Sequence, residues 1–326
     1  MATANSLTGQ RSGAGSLDIP SVPLAVVILT KDEEENILHA LRSVTGWAAE
    51  VWVVDAGSTD RTVSLAEAVG AKVVTHEFSG YAAQRNWALR NLPFGHEWVL
   101  FLDADEQVSA ELRAEISQAL TSLPDEVAGL YVKRRFIFLG RWLRHGGYYP
   151  VWLLRIVRHR RARCENRLLD EHLVVDGLTR RLHFDLVHED RRGLERWVAR
   201  HLQYAELAAL ELGDERRGDF IPSRPCTEQE ARSRWWYERV YRRLPAGYRA
   251  LGYFLYRYLL RGGFLDGREG LIYHGLQAFW FRLLVDAKVL ERERFGAEVS
   301  EVGLLESAGG PNGTPPVSGV TPRDKR

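Results

Sequence analysis

Asp103 and Asp105 stand one residue apart at the end of Trp98-Val99-Leu100-Phe101-Leu102. An unbroken apolar run of this length reads as a strand buried on both faces, as in the centre of a parallel sheet. In open α/β sheets the carboxyl ends of the strands face the ligand crevice, so chemistry belongs there. Alternate residues of an extended segment point to one side, and two carboxylates so placed could grip one hard divalent cation. A solvated turn accounts for a bare Asp-x-Asp equally well, because Asp is common in turns. The elements around the pair have to decide.

Those elements alternate. Leu24–Leu29 reads as a buried strand, followed by Thr30-Lys31-Asp32-Glu33-Glu34-Glu35-Asn36 and an amphipathic helix through Ile37, Leu38, Leu41 and Val44. A second strand, Val51–Val54, runs into Asp55-Ala56-Gly57-Ser58-Thr59-Asp60, and Arg61–Val69 reads as a helix stopped by Gly70. Lys72–Thr75 is a short strand, Tyr81–Leu92 a helix closed by Pro93, and Ser109 caps a helix over Ala110–Leu123. Strand-helix alternation with short connections predicts an α/β fold with a doubly wound, mostly parallel sheet. Its strand ends are acidic at Asp32 and Glu33, at Asp55, and at Asp103 and Asp105. Helix capping explains Asp60. It explains Asp103 and Asp105 poorly, since Ser109 already supplies the cap.

Composition narrows the partners. A net charge of +1 gives no global electrostatic case for nucleic acid. Cys164 and Cys226 lack metal-ligand spacing; one disulfide is possible, and a reducing cytosol is the simpler reading. Met1–Ser16 has no apolar core of a signal peptide, and no run of about 18 uncharged apolar residues suggests a transmembrane helix. After the first strand stands Thr30-Lys31-Asp32-Glu33 where a dinucleotide site needs glycines, and neither a P-loop nor a G-x-S-x-G elbow occurs. A phosphatase with an Asp nucleophile would want a later paired-Asp magnesium site, which is missing. What remains is a sheet binding a nucleotide through acidic groups and Mg²⁺ or Mn²⁺.

Three of these segments carry a resemblance. Val26–Glu33, Val53–Thr62 and Leu102-Asp103-Ala104-Asp105-Glu106 are similar to family 2 glycosyltransferases of the GT-A fold. Phe78–Leu89 resembles a finer subgroup that includes lipopolysaccharide-core β-glucosyltransferases and related surface-polysaccharide enzymes. Leu139–Pro150, Glu171–Gly177 and Gly263–Gly267 continue it, over roughly residues 22–292. The resemblance implies a GT-A nucleotide-sugar-binding and catalytic domain over 22–192 and a helical extension over 193–300. Residues 1–21 and 301–326, rich in small and polar residues, read as disordered tails.

What the resemblance implies for the site can be placed residue by residue. Asp55 would read the uracil of the donor, and Thr30, Asp32 and Glu33 would contact base or ribose. Asp105 would be the direct metal ligand, Asp103 a ribose or metal contact, and Gln107 would lie near the metal. Arg85 would lie near the donor pyrophosphate or base, unless it is a solvated helix arginine. Inverting transfer needs a base for the acceptor hydroxyl. Glu171 matches that position, with Asp170 as runner-up where the subgroup usually carries His. His188 matches a position near the donor; His183, Glu189 and Asp190 read as ordinary polar residues. Lys133-Arg134-Arg135, Arg141, Arg144, Arg155 and the run Arg158–Arg163 make the middle basic, which suits a donor diphosphate or an anionic acceptor better than nucleic acid.

The C-terminal third reads as helices over Leu194–Leu212, Arg232–Tyr241, Tyr248–Leu260 and Leu271–Leu290, with Trp and Tyr beside Arg. Such helices lie in a membrane interface or pack on a domain with their arginines reaching water. The resemblance favours the former: a cytoplasmic enzyme touching the inner face of the cell membrane. The expected function is transfer of a hexose from a nucleotide-diphosphate sugar, UDP-linked, to a cell-envelope glycan or glycolipid such as lipopolysaccharide core. A sugar-phosphate nucleotidyltransferase would want a Gly-rich loop that is missing. An inactive glycan- or membrane-binding scaffold would not need Asp55, Asp103 and Asp105 intact.

Overall fold

The computed structural model describes residues 21–165, 172–217 and 243–295. The expected terminal tails (Ser21 apart), the Arg232–Tyr241 helix, Cys226, Asp170 and Glu171 lie outside the described residues. The N-terminal half follows the alternation read above, with one short strand, β5, added: β1 (Val22–Thr30), α1 (Ile37–Arg42), β2 (Ala48–Asp55), α2 (Thr62–Ala68), β3 (Lys72–Thr75), α3 (Tyr81–Asn91), β4 (Trp98–Asp103), β5 (Glu106–Val108) and α4 (Ala110–Leu120). Ser109 does cap α4, its hydroxyl accepting from the Leu112 amide at 3.2 Å. Gly70 ends α2 at φ 83°, a conformation that a Cβ would disfavour.

The second half builds β6 (Val127–Phe138), β7 (Arg141–Trp142), β8 (Trp152–Arg158), β9 (Ala162–Cys164), β10 (Leu173–Val175) and β11 (Leu178–Glu189). The main sheet runs β3-β2-β1-β4-β8-β6-β11-β5. It is parallel through β3, β2, β1 and β4. Beyond them β8 is antiparallel to β4 and β6, β11 is parallel to β6, and β5 is antiparallel to β11. Both faces are apolar: Ile28, Ile37, Leu41, Leu102 and Leu112 fill one layer, and Val27, Val54, Phe101, Ala88 and Leu89 the other. Burial of each such side chain contributes about 1.5–3 kcal/mol, which is why β1 and β4 carry no polar residue until their ends. The register then sets those ends in line, with Thr30 beside Asp55 and Leu29 beside Asp103.

After the sheet come α5 (Gly193–Arg217), α6 (Tyr248–Leu255), a π-helical turn (Tyr256–Leu260), a 3₁₀ turn (Gly263–Asp266), α7 (Gly267–His274), a second π-helical turn (Gly275–Trp280) and α8 (Phe281–Phe295). Ala205, Ala209 and Leu212 of α5 pack on Phe281, Val285 and Val289 of α8. Phe136, Phe138, Leu143, Trp197 and Tyr273 join the tip of the sheet to these helices. The Gly146-Gly147 loop docks there too. Asp266 accepts from the Arg144 and His145 amides and from His145 Nδ1 at 2.7 Å. Gly146 and Gly263 close around His274: a Cβ built on either would stand 2.0 or 2.3 Å from its ring. Among the described residues no helix is long and apolar enough to cross a membrane.

Candidate active site

At the end of β2 the Asp55 carboxylate turns back on its own loop, buried to 2% exposure. It accepts from the Gly57 and Ser58 amides at 3.0 and 2.9 Å and from the Ser58 hydroxyl at 2.5 Å. That hydroxyl in turn accepts from the Asp32 amide at 2.8 Å. Asp32 holds a left-handed φ of 49°, and its Oδ1 accepts from the Thr59 amide at 2.6 Å. Asp32 Oδ2 and Thr30 Oγ1 are buried without a hydrogen-bond partner. A buried acceptor left bare costs about 1–3 kcal/mol, so both atoms are placed to gain from a ligand with N–H or O–H donors. A cavity of about 300 Å³ opens beside them, lined by Asp32, Glu34, Glu35, Thr59, Asp60, Arg192 and Arg196.

At the end of β4, Asp103 is held by two guanidiniums. Arg85 donates to Oδ1 at 3.0 Å, and Arg155 donates to Oδ1 at 3.3 Å and Oδ2 at 2.6 Å. Burial opposes its ionisation, yet Arg155 and Arg85 overcome that and hold the carboxyl well below the usual carboxylate range. Arg85 is 7% exposed. It is therefore a buried partner of Asp103 on α3 and not a solvated helix arginine. Arg155 also donates to Glu106 at 2.8 Å, and the fully buried Glu106 accepts from the Asp103 amide at 3.0 Å.

Asp105 is arranged differently. Its nearest ionic neighbours are His188 Nδ1 at 3.6 Å and Arg200 at 3.9 Å, both too long for a hydrogen bond. Pairing of β5 with β11 sets His188 opposite Glu106 and Val187 opposite the half-buried Gln107. His188 Nδ1 is buried without a hydrogen-bond partner. Around this pair lies a polar shell: Asp190 accepts from Arg200 at 2.8 Å and from Arg192 at 2.9 Å, and Arg192 reaches Glu33 at 2.5 Å. Burial pushes Glu33 up to about 8, with Arg192 opposing and Asp105 adding to the rise.

Among the described residues no group of three or more His, Cys, Asp or Glu could hold a metal by itself. The Asp105 carboxylate fits a divalent cation that takes the rest of its shell from ligand oxygens, the usual arrangement for Mg²⁺ with phosphates, and the bare His188 nitrogen beside it would add a ligand better suited to a transition metal such as Mn²⁺. His183 stands elsewhere, exposed and 2.8 Å from Glu115 of α4. The basic middle divides as well. Lys133 and Arg135 neutralise Asp185, while Arg158 and Arg161 tie up the Val127, Asp125 and Asp176 carbonyls at the far end of the strands. Of that stretch Arg155 reaches the acidic edge. In the sequence it reads as one of a basic patch, and nothing local marks Arg192 and Arg200 as neighbours of the acidic strand ends. For Glu106 the available signal is its place next to the Asp-x-Asp.

Residues 25–181 match the family model for "Glycosyl transferase family 2". An uncharacterized glycosyltransferase of Rickettsia bellii is 42% identical over 99 residues, covering 30% of this chain and 33% of that protein. The chain thus spans about a third of the length of that relative. The lipopolysaccharide core biosynthesis glycosyltransferase LpsC of Rhizobium meliloti is 29% identical over 170 residues, covering 49% of this chain and 60% of that protein. The mannosyltransferase PcManGT from Pyrobaculum calidifontis, solved with GDP-Man and Mn2+, superposes with 16% identity over 86% of this chain and 91% of that one. The TM-score of that superposition is 0.46. Over residues 25–181 the chain is thus similar to the family 2 glycosyltransferases.

Proposed function

We propose that the protein is an inverting, metal-dependent hexosyltransferase using a nucleotide-diphosphate sugar, UDP-linked, and a cell-envelope glycan or glycolipid acceptor such as lipopolysaccharide core. The observation that carries this reading is the meeting of Asp32, Asp55, Asp103 and Asp105 at one sheet edge, with bare acceptors at Thr30 and Asp32. Asp55, Thr30, Asp32 and Glu33 serve the base and ribose. Asp103 serves the ribose, oriented by Arg85 and Arg155, and Arg85 lies next to the diphosphate. Asp105 and His188, with Gln107 nearby, would hold Mg²⁺ or Mn²⁺, which supplies positive charge against the leaving diphosphate. Glu171 takes the acceptor hydroxyl proton as that oxygen attacks the anomeric carbon from the face opposite the diphosphate; Asp170 is the runner-up. The bond from the anomeric carbon to the phosphate oxygen breaks, and the nucleoside diphosphate departs.

The protein would work in the cytoplasm against the inner membrane face. Tyr248, Leu251, Leu255, Leu259, Leu260 and Phe264 are exposed along α6 and the turns after it, with Arg261 and Arg268 nearby, as in a helix lying in a membrane interface. Flotation with anionic liposomes tests this, and a protein left wholly in the soluble fraction refutes it. The donor is tested by thermal shift with UDP-, GDP-, TDP- and ADP-sugars, with and without Mn²⁺. A metal-dependent shift with a UDP-sugar is expected; no shift with any of them overturns the reading. Glu171→Gln should abolish transfer with that shift intact.

A further inference from the structure

An edge lined by carboxylates repels a diphosphate, and two of its cations are already engaged. Arg155 bonds Asp103 and Glu106, and Arg85 bonds Asp103. A further cation comes from the helical extension. At four-residue spacing Arg192, Arg196, Arg200 and Tyr204 follow one face of α5 and the residue ahead of it. Each of them meets the edge. Arg192 pairs with Glu33 and Asp190, and Arg196 lines the cavity beside Asp32. Arg200 bonds Asp190, and the Tyr204 hydroxyl lies 3.2 Å from that of Tyr81 on α3. The adjoining face of the helix is packed, Trp197 with Phe138 and Tyr273, Ala205 and Ala209 with Phe281 and Val285 of α8. These contacts fix α5 along the strand ends with its arginines toward them.

Of the stripe, Arg200 reaches Asp105. Its Nη2 donates to Asp190 Oδ2 at 2.8 Å, while Nη1 stands 3.9 Å from Asp105 Oδ2, too far for a hydrogen bond. Asp190 is satisfied without it: Arg192 donates to both its oxygens, at 2.9 and 3.0 Å, and Asn36 donates to Oδ1 at 3.0 Å. What the Asp190 contact does is orient the guanidinium, so that Nη1 is turned to Asp105. We propose that Arg200 is a second cation for the donor's diphosphate, donating from Nη1 to a phosphate oxygen beside Asp105, an inference that rests on the transferase reading above. A divalent cation on Asp105 takes oxygens from the diphosphate, which brings that group to the carboxylate Arg200 faces. Guanidinium N–H donors suit phosphate oxygens. As the bond to the anomeric carbon breaks, negative charge grows on the departing diphosphate, and a cation fixed in advance stabilises it. Asp190 is then a positioning residue acting through Arg200.

The test is thermal shift on the full chain, titrating UDP and uridine separately, each with and without Mn²⁺. Arg200→Gln should raise the half-saturating UDP concentration about tenfold in both series, the loss expected for one charge-assisted hydrogen bond. Its response to uridine, which has no phosphate, should match the wild type. Arg200→Lys keeps the charge without the fork and should fall between the two. If Arg200→Gln does not fold, Arg200→Lys decides by the same comparison. An equal loss for uridine makes Arg200 a structural support of the whole edge, and a loss confined to the Mn²⁺ series makes it a support of Asp105. Either result overturns the proposal, as does an unchanged UDP response. A wild type that ignores UDP would sink the transferase reading alone, because inorganic pyrophosphate, titrated in its place, still decides whether Arg200 takes a diphosphate.

Discussion

Removing the Arg155 side chain should expose how much of this site's architecture depends on a single cation. Arg155 is 8% exposed and donates to Asp103 and Glu106 at 2.6 and 2.8 Å. In Arg155→Gln, Asp103 keeps Arg85 at 3.0 Å. Glu106 keeps the Asp103 amide and a distant His188 at 3.8 Å, while remaining fully buried. The cost therefore falls on Glu106, and breaking a buried pair from one side typically costs about 3–5 kcal/mol. Urea denaturation at pH 8 should show a lower midpoint with an unchanged slope. The deficit has a pH signature. An unpaired buried carboxylate has its pKa raised, so the folded variant binds a proton that the unfolded chain has already lost. The variant's deficit should shrink as the pH is lowered from 8 toward 5. Adding Glu106→Gln to Arg155→Gln should recover part of the loss at pH 8. A deficit below about 1 kcal/mol, or one equal at pH 5 and 8, would refute the assignment of the cost to an uncompensated Glu106.

Asp105→Asn should remove the metal-dependent part of the UDP thermal shift while changing stability little, because its ionic contacts are long; a Mn²⁺-dependent shift of wild-type size would count against Asp105 as ligand. Burial lowers the pKa of both His274 and His201 from 6.5 to about 4. For a depressed histidine the stabilisation is complete above the unfolded value and declines as pH falls from 6.5 toward 4. The fully buried His274 alone should account for about 3 kcal/mol across that window, measured as urea midpoints from pH 7.5 to 4.5 and compared with His274→Phe. Gly263→Ala should cost about 1–3 kcal/mol through collision with His274, and pairing it with His274→Ala should be less damaging than the two separate losses added together. Strict additivity would show that the two do not share space.

How far the sequence could be read depended on how local each signal was. From β1 to α4 every element except the three-residue β5 carries its own periodicity and its own stop, as with Ser109 and Gly70, so the parallel half and its acidic ends are legible in the sequence. The half from β6 to β11 is not. In Lys133-Arg134-Arg135 adjacent cations point to opposite faces of one strand, and only pairing with β11 reveals that Lys133 and Arg135 belong to Asp185. Charge counting along the chain merges these with Arg155, Arg158 and Arg161, which serve the site, Glu97 and backbone carbonyls. Arg85 was ambiguous for the same reason, since a helix position does not say whether a carboxylate waits opposite it. His188 matched a family position, but its nearness to Asp105 comes from the β5–β11 ladder, which no local pattern announces.

That ladder has a consequence for how the protein comes into being. Thr30, Asp55 and Asp103 are aligned by β1, β2 and β4, all of which lie before Ala104 in the chain. The partner of Asp105 lies on β11, which emerges from synthesis well after β1, β2 and β4 are complete. A growing chain can therefore hold the edge formed by Thr30, Asp55 and Asp103 before His188 reaches Asp105, and under the proposed function nucleotide recognition would precede metal competence as the polypeptide emerges.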